Sequence, residues 1–254
     1  MRVDLLFTPN QTDEMGLRGK SVVVIDVLRA STSIATALHH GAKEIIPVTT
    51  VESAVKISGN LFGDVILLGG ERNGKRIQGF HLGNSPSEYS IERVKGKSII
   101  FSSTNGSQAM VKARYSREMV VCGFVNISRV ASFVRENRRD ITILCAGTNG
   151  MFSLEDAVCA GALLAKLGEK NSIELILSDA AQAAAALYKT FGKSVLKMIK
   201  GTEHGMYLAE IGFADDLPVC AGVDTIPVLP QLSGSVVKIK QDVEKNHDVK
   251  VSVS

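Results

Sequence analysis

Four polar turns, each following a short apolar run, hold the residue types that bind anions and metal ions. After Val22-Val23-Val24-Ile25 comes Asp26-Val27-Leu28-Arg29-Ala30-Ser31-Thr32. A carboxylate there can ligate a metal or attack as a nucleophile, and an arginine can grip anionic oxygens in pairs. The hydroxyls of Ser31 and Thr32 and the free N–H groups of a helix start favour an anion beside them. The second turn reads Gly69-Gly70-Glu71-Arg72 and continues to Gly79-Phe80-His81-Leu82-Gly83-Asn84-Ser85-Pro86. Its glycines permit close backbone approach to a ligand, and Arg72, Lys75 and Arg76 offer positive charge. In the third, Ser102-Ser103-Thr104-Asn105-Gly106-Ser107, oriented amides can form a nest for an oxyanion. The fourth, Cys145-Ala146-Gly147-Thr148-Asn149-Gly150, leads to Glu155-Asp156. Neighbouring helical residues point about 100° apart, so one of these acids faces a ligand and the other does not. Asp156 is expected to be the functional one.

Helix caps and surface loops can be written in the same letters, so the weight rests on where the turns fall. Short β-branched runs at 3–7, 22–27, 44–48, 65–69, 98–102, 119–122 and 141–146 predict strands buried on both faces. Helical patterns at 32–40, 51–59, 106–114, 127–136 and 154–167 lie between them. The expected class is α/β, with a largely parallel or mixed sheet flanked by helices. In such sheets ligands bind outside the carboxyl ends of the strands, where all four turns are placed. Beyond residue 173 the spacing turns helical, at 180–188, 195–199 and 206–211, which predicts a helical C-terminal third. Residues 215–230, with three prolines, predict an extended segment, and 236–254 a polar tail. A single unit over 1–254 is expected. The similar strand–turn–helix patterns at 22–41 and 141–161 raise a division into two like lobes, 1–115 and 116–235.

The 254 residues carry 29 basic and 26 acidic side chains, a formal charge of +3, so no broad positive field suggests a nucleic-acid partner. With 45% hydrophobic and 22% charged residues the chain reads as compact and soluble. Its apolar runs are strand-sized, far below the roughly 20 residues of a membrane helix. The start, Met1-Arg2-Val3-Asp4-Leu5, lacks a signal-peptide pattern. Cys122, Cys145, Cys159 and Cys220 form no CxxC or Cys/His set, which argues for packing thiols and a reducing, cytoplasmic location. No GxxxxGK[ST], GxGxxG or GxSxG motif is present, which leaves ATP, NAD and serine-hydrolase readings unsupported. His81 and His204 can do acid–base work, although isolated histidines are more often structural. The apolar stretch at 180–187 suits either the core or a second copy in a homodimer.

Taken in order, the first turn, Gly70-Glu71-Arg72, the segment from Gly79 to Pro86, Thr104-Asn105-Gly106, and Cys145-Ala146-Gly147 followed by Glu155-Asp156 resemble the 2-phosphosulfolactate phosphatase family. The resemblance spans residues 1–230. It implies an α/β fold peculiar to that family, Mg²⁺ dependence, and hydrolysis of 2-phospho-3-sulfolactate to 3-sulfolactate in a coenzyme M pathway. This chain departs from the pattern at His81, where the family usually carries Asp. The implied substrate bears phosphate, carboxylate and sulfonate. Arg29, Arg72 and the amides near Thr104 to Gly106 are expected to divide these anions, with Ser31, Thr32 and Asn84 beside them. Mg²⁺ is expected near Asp26, Glu71 and Asp156.

Asp26, Arg29 and Asp156 are thus the expected catalytic residues. Asp26 either forms an aspartyl-phosphate or ligates the metal. Its strand-end position is that of haloacid-dehalogenase-type phosphatases, but Leu28 stands where their DxD pattern has a second acid, which keeps direct attack by water open. Two alternatives stand beside this reading: a phosphatase for another small phosphorylated hydroxy acid, and a non-catalytic anion-binding protein.

Overall fold

A computed structural model of the chain describes residues 1–60, 65–169 and 173–240. The strands are β1 (Arg2–Leu6), β2 (Ser21–Ile25), β3 (Glu44–Pro47), β4 (Ile66–Arg72), β5 (Lys75–Arg76), β6 (Ser98–Ser102), β7 (Glu118–Cys122), β8 (Ile141–Cys145), β9 (Ile176–Leu177), β10 (Pro230–Ser233) and β11 (Val236–Ile239). Seven of these are the runs expected from β-branched composition, within a few residues at each end. Among the described residues they form one mixed sheet in the order β5-β4-β6-β3-β11-β10-β7-β2-β8-β1-β9. The pairings β4–β6–β3 and β7–β2–β8–β1 are parallel, and the antiparallel β10–β11 hairpin sits between the two sets. The fold is α/β.

Helices α1 (Ala30–His39), α2 (Val51–Asn60), α3 (Ile91–Val94), α4 (Gly106–Lys112), α5 (Ile127–Asn137) and α6 (Leu154–Gly168) alternate with the strands. Helices α7 (Asp179–Phe191), α8 (Val195–Lys200), α9 (Glu203–Glu210) and α10 (Asp216–Ala221) follow as the helical C-terminal part. Alternation along β2 explains the two cores: Val23 and Ile25 join the apolar cluster under α5 and α6, while Val22 and Val24 face the cluster around α1 and α4. Each fully buried side chain of this kind contributes about 1.5–3 kcal/mol. Ala181 and Ala184 of α7 are buried, and α7 packs on α6 and β1, so the apolar stretch at 180–187 covers the core.

Three expectations are corrected. The tail expected from residue 236 begins inside the sheet, because Val237 pairs with Ile45 and is fully buried; residues 241–254 lie outside the described residues. A boundary at residue 115 does not follow the sheet either, since β2 lies hydrogen-bonded between β7 and β8 from the other side of it. Within the expected extended segment, Asp216–Ala221 is helical. Pro218 falls in its first turn, where the missing N–H has no intrahelical partner to lose.

The sheet is also curved, by a geometric necessity. Five steps separate β6 from β2, which is about 24 Å in a flat sheet. Yet a Cβ placed on Gly106, just past β6, would lie 2.5 Å from Asp26 Oδ2, just past β2. The strands therefore wrap around α1 and α4, which touch each other and strands of both parallel sets. Helix α1 can occupy that concave side because its small residues let it be buried from Ala30 to Leu38.

Candidate active site

Asp26 opens the turn after β2. Its N–H donates to Ser31 Oγ at 2.9 Å, and the Ser31 N–H returns to the Asp26 carbonyl at 2.8 Å. The Ala30 N–H donates to Asp26 Oδ1 at 3.2 Å. Burial pushes the Asp26 carboxyl up to about 6, with Glu71 and Glu155 adding to the rise and His204 and the Ala30 amide opposing it. Three residues on, Arg29 is only 1% exposed. Its Nη1 donates to Asp216 Oδ2 at 2.7 Å, its Nη2 to the Gly74 carbonyl at 2.6 Å, and the guanidinium lies 4.2 Å over the Phe213 ring. Ser85 Oγ donates to the other oxygen of Asp216 at 2.6 Å.

The four turns are bonded to one another in a closed circuit. Arg29 joins the first to the second through the Gly74 carbonyl. Glu71 joins the second to the third by accepting from the Thr104 N–H at 2.7 Å. Asn105 Oδ1 accepts from the Asn149 N–H of the fourth at 2.9 Å. Asp156 then returns to the first, where its Oδ1 accepts from the Val27 N–H at 2.8 Å, while Oδ2 holds the Gly147 N–H at 3.0 Å. The links between turns join residues at least 33 positions apart, so the circuit sets the spatial relation of loops that the sheet alone leaves free.

These turns line one cleft of about 260 Å³. Of the expected site residues, Asp26, Arg29, Glu71, Asn84, Thr104 and Asn105 line it. The others act behind it. Ser31 Oγ holds the Asp26 N–H, and Thr32 Oγ1 donates to the Val27 carbonyl at 3.3 Å, so both hydroxyls shape the turn. Arg72 points to the β6 edge, bonding Ser102 Oγ and the carbonyls of Glu71, Ser102 and Thr49. Gly106 supplies clearance for Asp26 and Ala30 rather than a ligand contact. The Thr104 N–H is taken by Glu71 and is not free for an oxyanion.

Asp156 lies behind the cleft. Both its oxygens are taken by backbone amides, and it is 2% exposed and does not line the cleft. Burial, with Asp26 and Glu155 nearby, pushes its carboxyl well above the usual range. Glu155, set aside in favour of Asp156, instead places Oε1 3.4 Å from His204 Nδ1.

Sequence reasoning missed a wall. Helix α9, started by the Thr202 hydroxyl accepting from the Gly205 N–H at 3.0 Å, sets Glu203, His204, Tyr207 and Leu208 along the cleft. Its amphipathic spacing marks a covering helix and does not say what it covers. Asn73, Gly74, Thr148 and Asn149 also line the cleft and sit inside turns recognisable as polar.

The sequence model of 2-phosphosulpholactate phosphatase matches residues 6–235 of this chain. The chain belongs to the 2-phosphosulfolactate phosphatase family. Similar relatives include proteins named probable 2-phosphosulfolactate phosphatase from three organisms. That of Caldanaerobacter subterraneus subsp. tengcongensis is 41% identical, covering 92% of this chain and 97% of the relative. Those of Thermotoga maritima and Clostridium perfringens are 37% and 35% identical, each covering 94% of this chain and 99% and 96% of the relative.

His81, where the resemblance led to an expectation of aspartate, stands outside the cleft. Its Nδ1 accepts from the Leu68 N–H at 2.9 Å. An aspartate oxygen is an acceptor of the same kind, so the exchange keeps a structural bond. Leu28, in contrast, does line the cleft, with an apolar side chain that has no proton to give. Among the described residues no helix is long and apolar enough to cross a membrane.

Proposed function

We propose that this protein hydrolyses 2-phospho-3-sulfolactate to 3-sulfolactate and inorganic phosphate, with Mg²⁺, as a cytoplasmic step towards coenzyme M. One observation carries the reading: in a chain of this family, a buried carboxylate and a buried guanidinium from one turn, Asp26 and Arg29, line a cleft on which four strand-end turns converge. Four free, buried thiols support the reducing location.

The charge balance of the lining supports the metal. Asp26, Glu71 and Glu203 face Arg29 and His204, a balance that alone disfavours a substrate with three anionic groups. The donors present are hard oxygens: the carboxylates of Asp26 and Glu71, and Asn84 Oδ1, which is buried without a hydrogen-bond partner. Among the described residues no three His, Cys, Asp or Glu side chains are grouped to hold a metal. Mg²⁺ suits that arrangement, since it commonly takes one or two carboxylates and leaves other positions to water and phosphate. When bound there it would neutralise phosphoryl charge.

The chain's own groups divide the remaining work. Arg29, held in place by Asp216 and Gly74, keeps further N–H donors for phosphoryl oxygens and is positioned before substrate arrives. Asn105 gives its oxygen to Asn149 and retains its NH₂ for an anionic oxygen. Leu28 and Leu208 present apolar surface that limits water. The deciding measurement is phosphate release from 2-phospho-3-sulfolactate in Mg²⁺ and in EDTA. No release in either sinks the reading, and equal release in both sinks the metal.

A further inference from the structure

Cleavage of an alkyl phosphate leaves an alkoxide, a poor leaving group unless it receives a proton as the bond breaks. In the turn carrying Asp26, Leu28 has no proton to give, and Asp26 itself is a metal donor in the reading above. Among the cleft-lining groups, Arg29 is bound to Asp216 and Gly74, and Glu71 accepts from the Thr104 and Gly74 amides. Tyr207 spends its hydroxyl hydrogen on the Asn73 carbonyl at 3.0 Å, and Glu203 is exposed.

His204 is differently held. Its Nδ1 lies 3.4 Å from Glu155 Oε1 and 3.4 Å from Thr148 Oγ1. Glu155 is 2% exposed, and its carboxylate, at ion-pair distance, attracts the Nδ1 side of the ring, while Thr148 Oγ1 lies within hydrogen-bonding distance of the same nitrogen. Nε2 is then the ring nitrogen left for the cleft that His204 lines. Glu155 and His204 come from different helices, α6 and α9, so their meeting is a product of the fold and not of sequence spacing.

We infer that His204, oriented by Glu155, is the general acid that protonates the leaving oxygen, an assignment that rests on the phosphatase reading above. As the phosphorus–oxygen bond to the hydroxy acid breaks, its electron pair stays on that oxygen and takes the proton from Nε2. Water forms the new bond to phosphorus, and the proton it releases returns to Nε2. No oxidant or further reactant enters. His204 is then a catalytic residue and Glu155 a positioning residue.

The test compares two esters: 2-phospho-3-sulfolactate, whose alkoxide needs the proton, and p-nitrophenyl phosphate, whose leaving group does not. In His204→Gln the ratio of alkyl to aryl kcat falls by about 100-fold or more. In Glu155→Gln it falls in the same direction by less. Because both esters see the same protein, the ratio is insensitive to any loss of folded enzyme. Equal loss on both esters in His204→Gln overturns the assignment to His204, and an unchanged ratio in Glu155→Gln overturns the positioning role. If the wild type cleaves neither ester, the phosphatase reading fails and takes this inference with it.

Discussion

Arg29 Nη1 lies 2.7 Å from Asp216 Oδ2, and the two side chains are 1% and 5% exposed although 187 positions separate them. The charge offered to the cleft by the first turn is therefore fixed by the helix that precedes the final hairpin. Replacing Asp216 by Asn leaves a buried guanidinium uncompensated. The expected cost is about 3–5 kcal/mol in urea unfolding, together with a lower kcat. A loss below about 1 kcal/mol would mean that the pair is not buried as described.

Asp26→Asn abolishes hydrolysis and yet stabilises the fold above neutrality. The carboxyl's folded value of about 6 lies above its ordinary 3.8, so the folded protein holds a proton that the unfolded chain has released between those limits. That contribution is fully present below pH 3.8 and is lost as pH rises through about 6. At pH 8 the wild type bears the whole cost, on the order of 3 kcal/mol, which the variant escapes. Urea unfolding in EDTA at pH 5 and pH 8 checks the sign: the advantage of the variant widens at the higher pH.

For Asp156→Asn, the geometry distinguishes a loop tie from a metal ligand. An amide offers one acceptor where two backbone N–H groups now donate, so stability drops by about 1–3 kcal/mol. Because Asp156 does not line the cleft, the Mg²⁺ concentration for half-maximal activity stays at the wild-type value. A large rise in that concentration restores Asp156 to the metal site.

Gly106→Ala is a test of clearance. The added methyl meets Asp26 Oδ2 at 2.5 Å and the Ala30 Cβ at 2.6 Å, in contacts that the surrounding helices cannot relax without moving the carboxylate. Overpacking of this kind costs about 1–3 kcal/mol. Displacing that carboxylate from its place in the cleft lowers kcat by roughly 100-fold. Steady-state kinetics beside a thermal melt separates the two effects.

His81→Asp, by contrast, leaves kcat and KM for the phosphorylated hydroxy acid near the wild-type values. Its side-chain bond from the Leu68 N–H persists with a carboxylate acceptor, and its backbone bonds are untouched. A changed substrate preference in a panel of phosphorylated acids would contradict the placement of His81 outside the cleft.

Much of this architecture is legible in the residues, and the limits have physical causes. Runs such as Val22-Val23-Val24-Ile25 mark strands buried on both faces, and the turns after them carry Asp26, Glu71 and Asn105 where the sheet needs helix starts. What a local pattern cannot report is direction. Arg72 and Arg29 look alike in sequence, yet one staples β4 to β6 and the other faces the cleft, because strand curvature decides which way each leaves the sheet. Glu155 and Asp156 differ by one helical step, and only tertiary contacts assign one to His204 and the other to two amides. The β10–β11 hairpin escaped notice because its strands, four residues each, alternate with polar side chains and begin at a proline, which suits its register beside β7 and β3 but reads as tail.

That hairpin has a consequence for how the protein comes into being. It lies between β7 and β3, each made long before it on the ribosome, so the earlier strands wait with two open edges until residues 230–239 arrive. A nascent chain halted short of this point cannot complete the curved wall that brings Asp26 beside Gly106. Enzymatic competence should therefore appear abruptly, as the seam is sewn, rather than growing with each added helix.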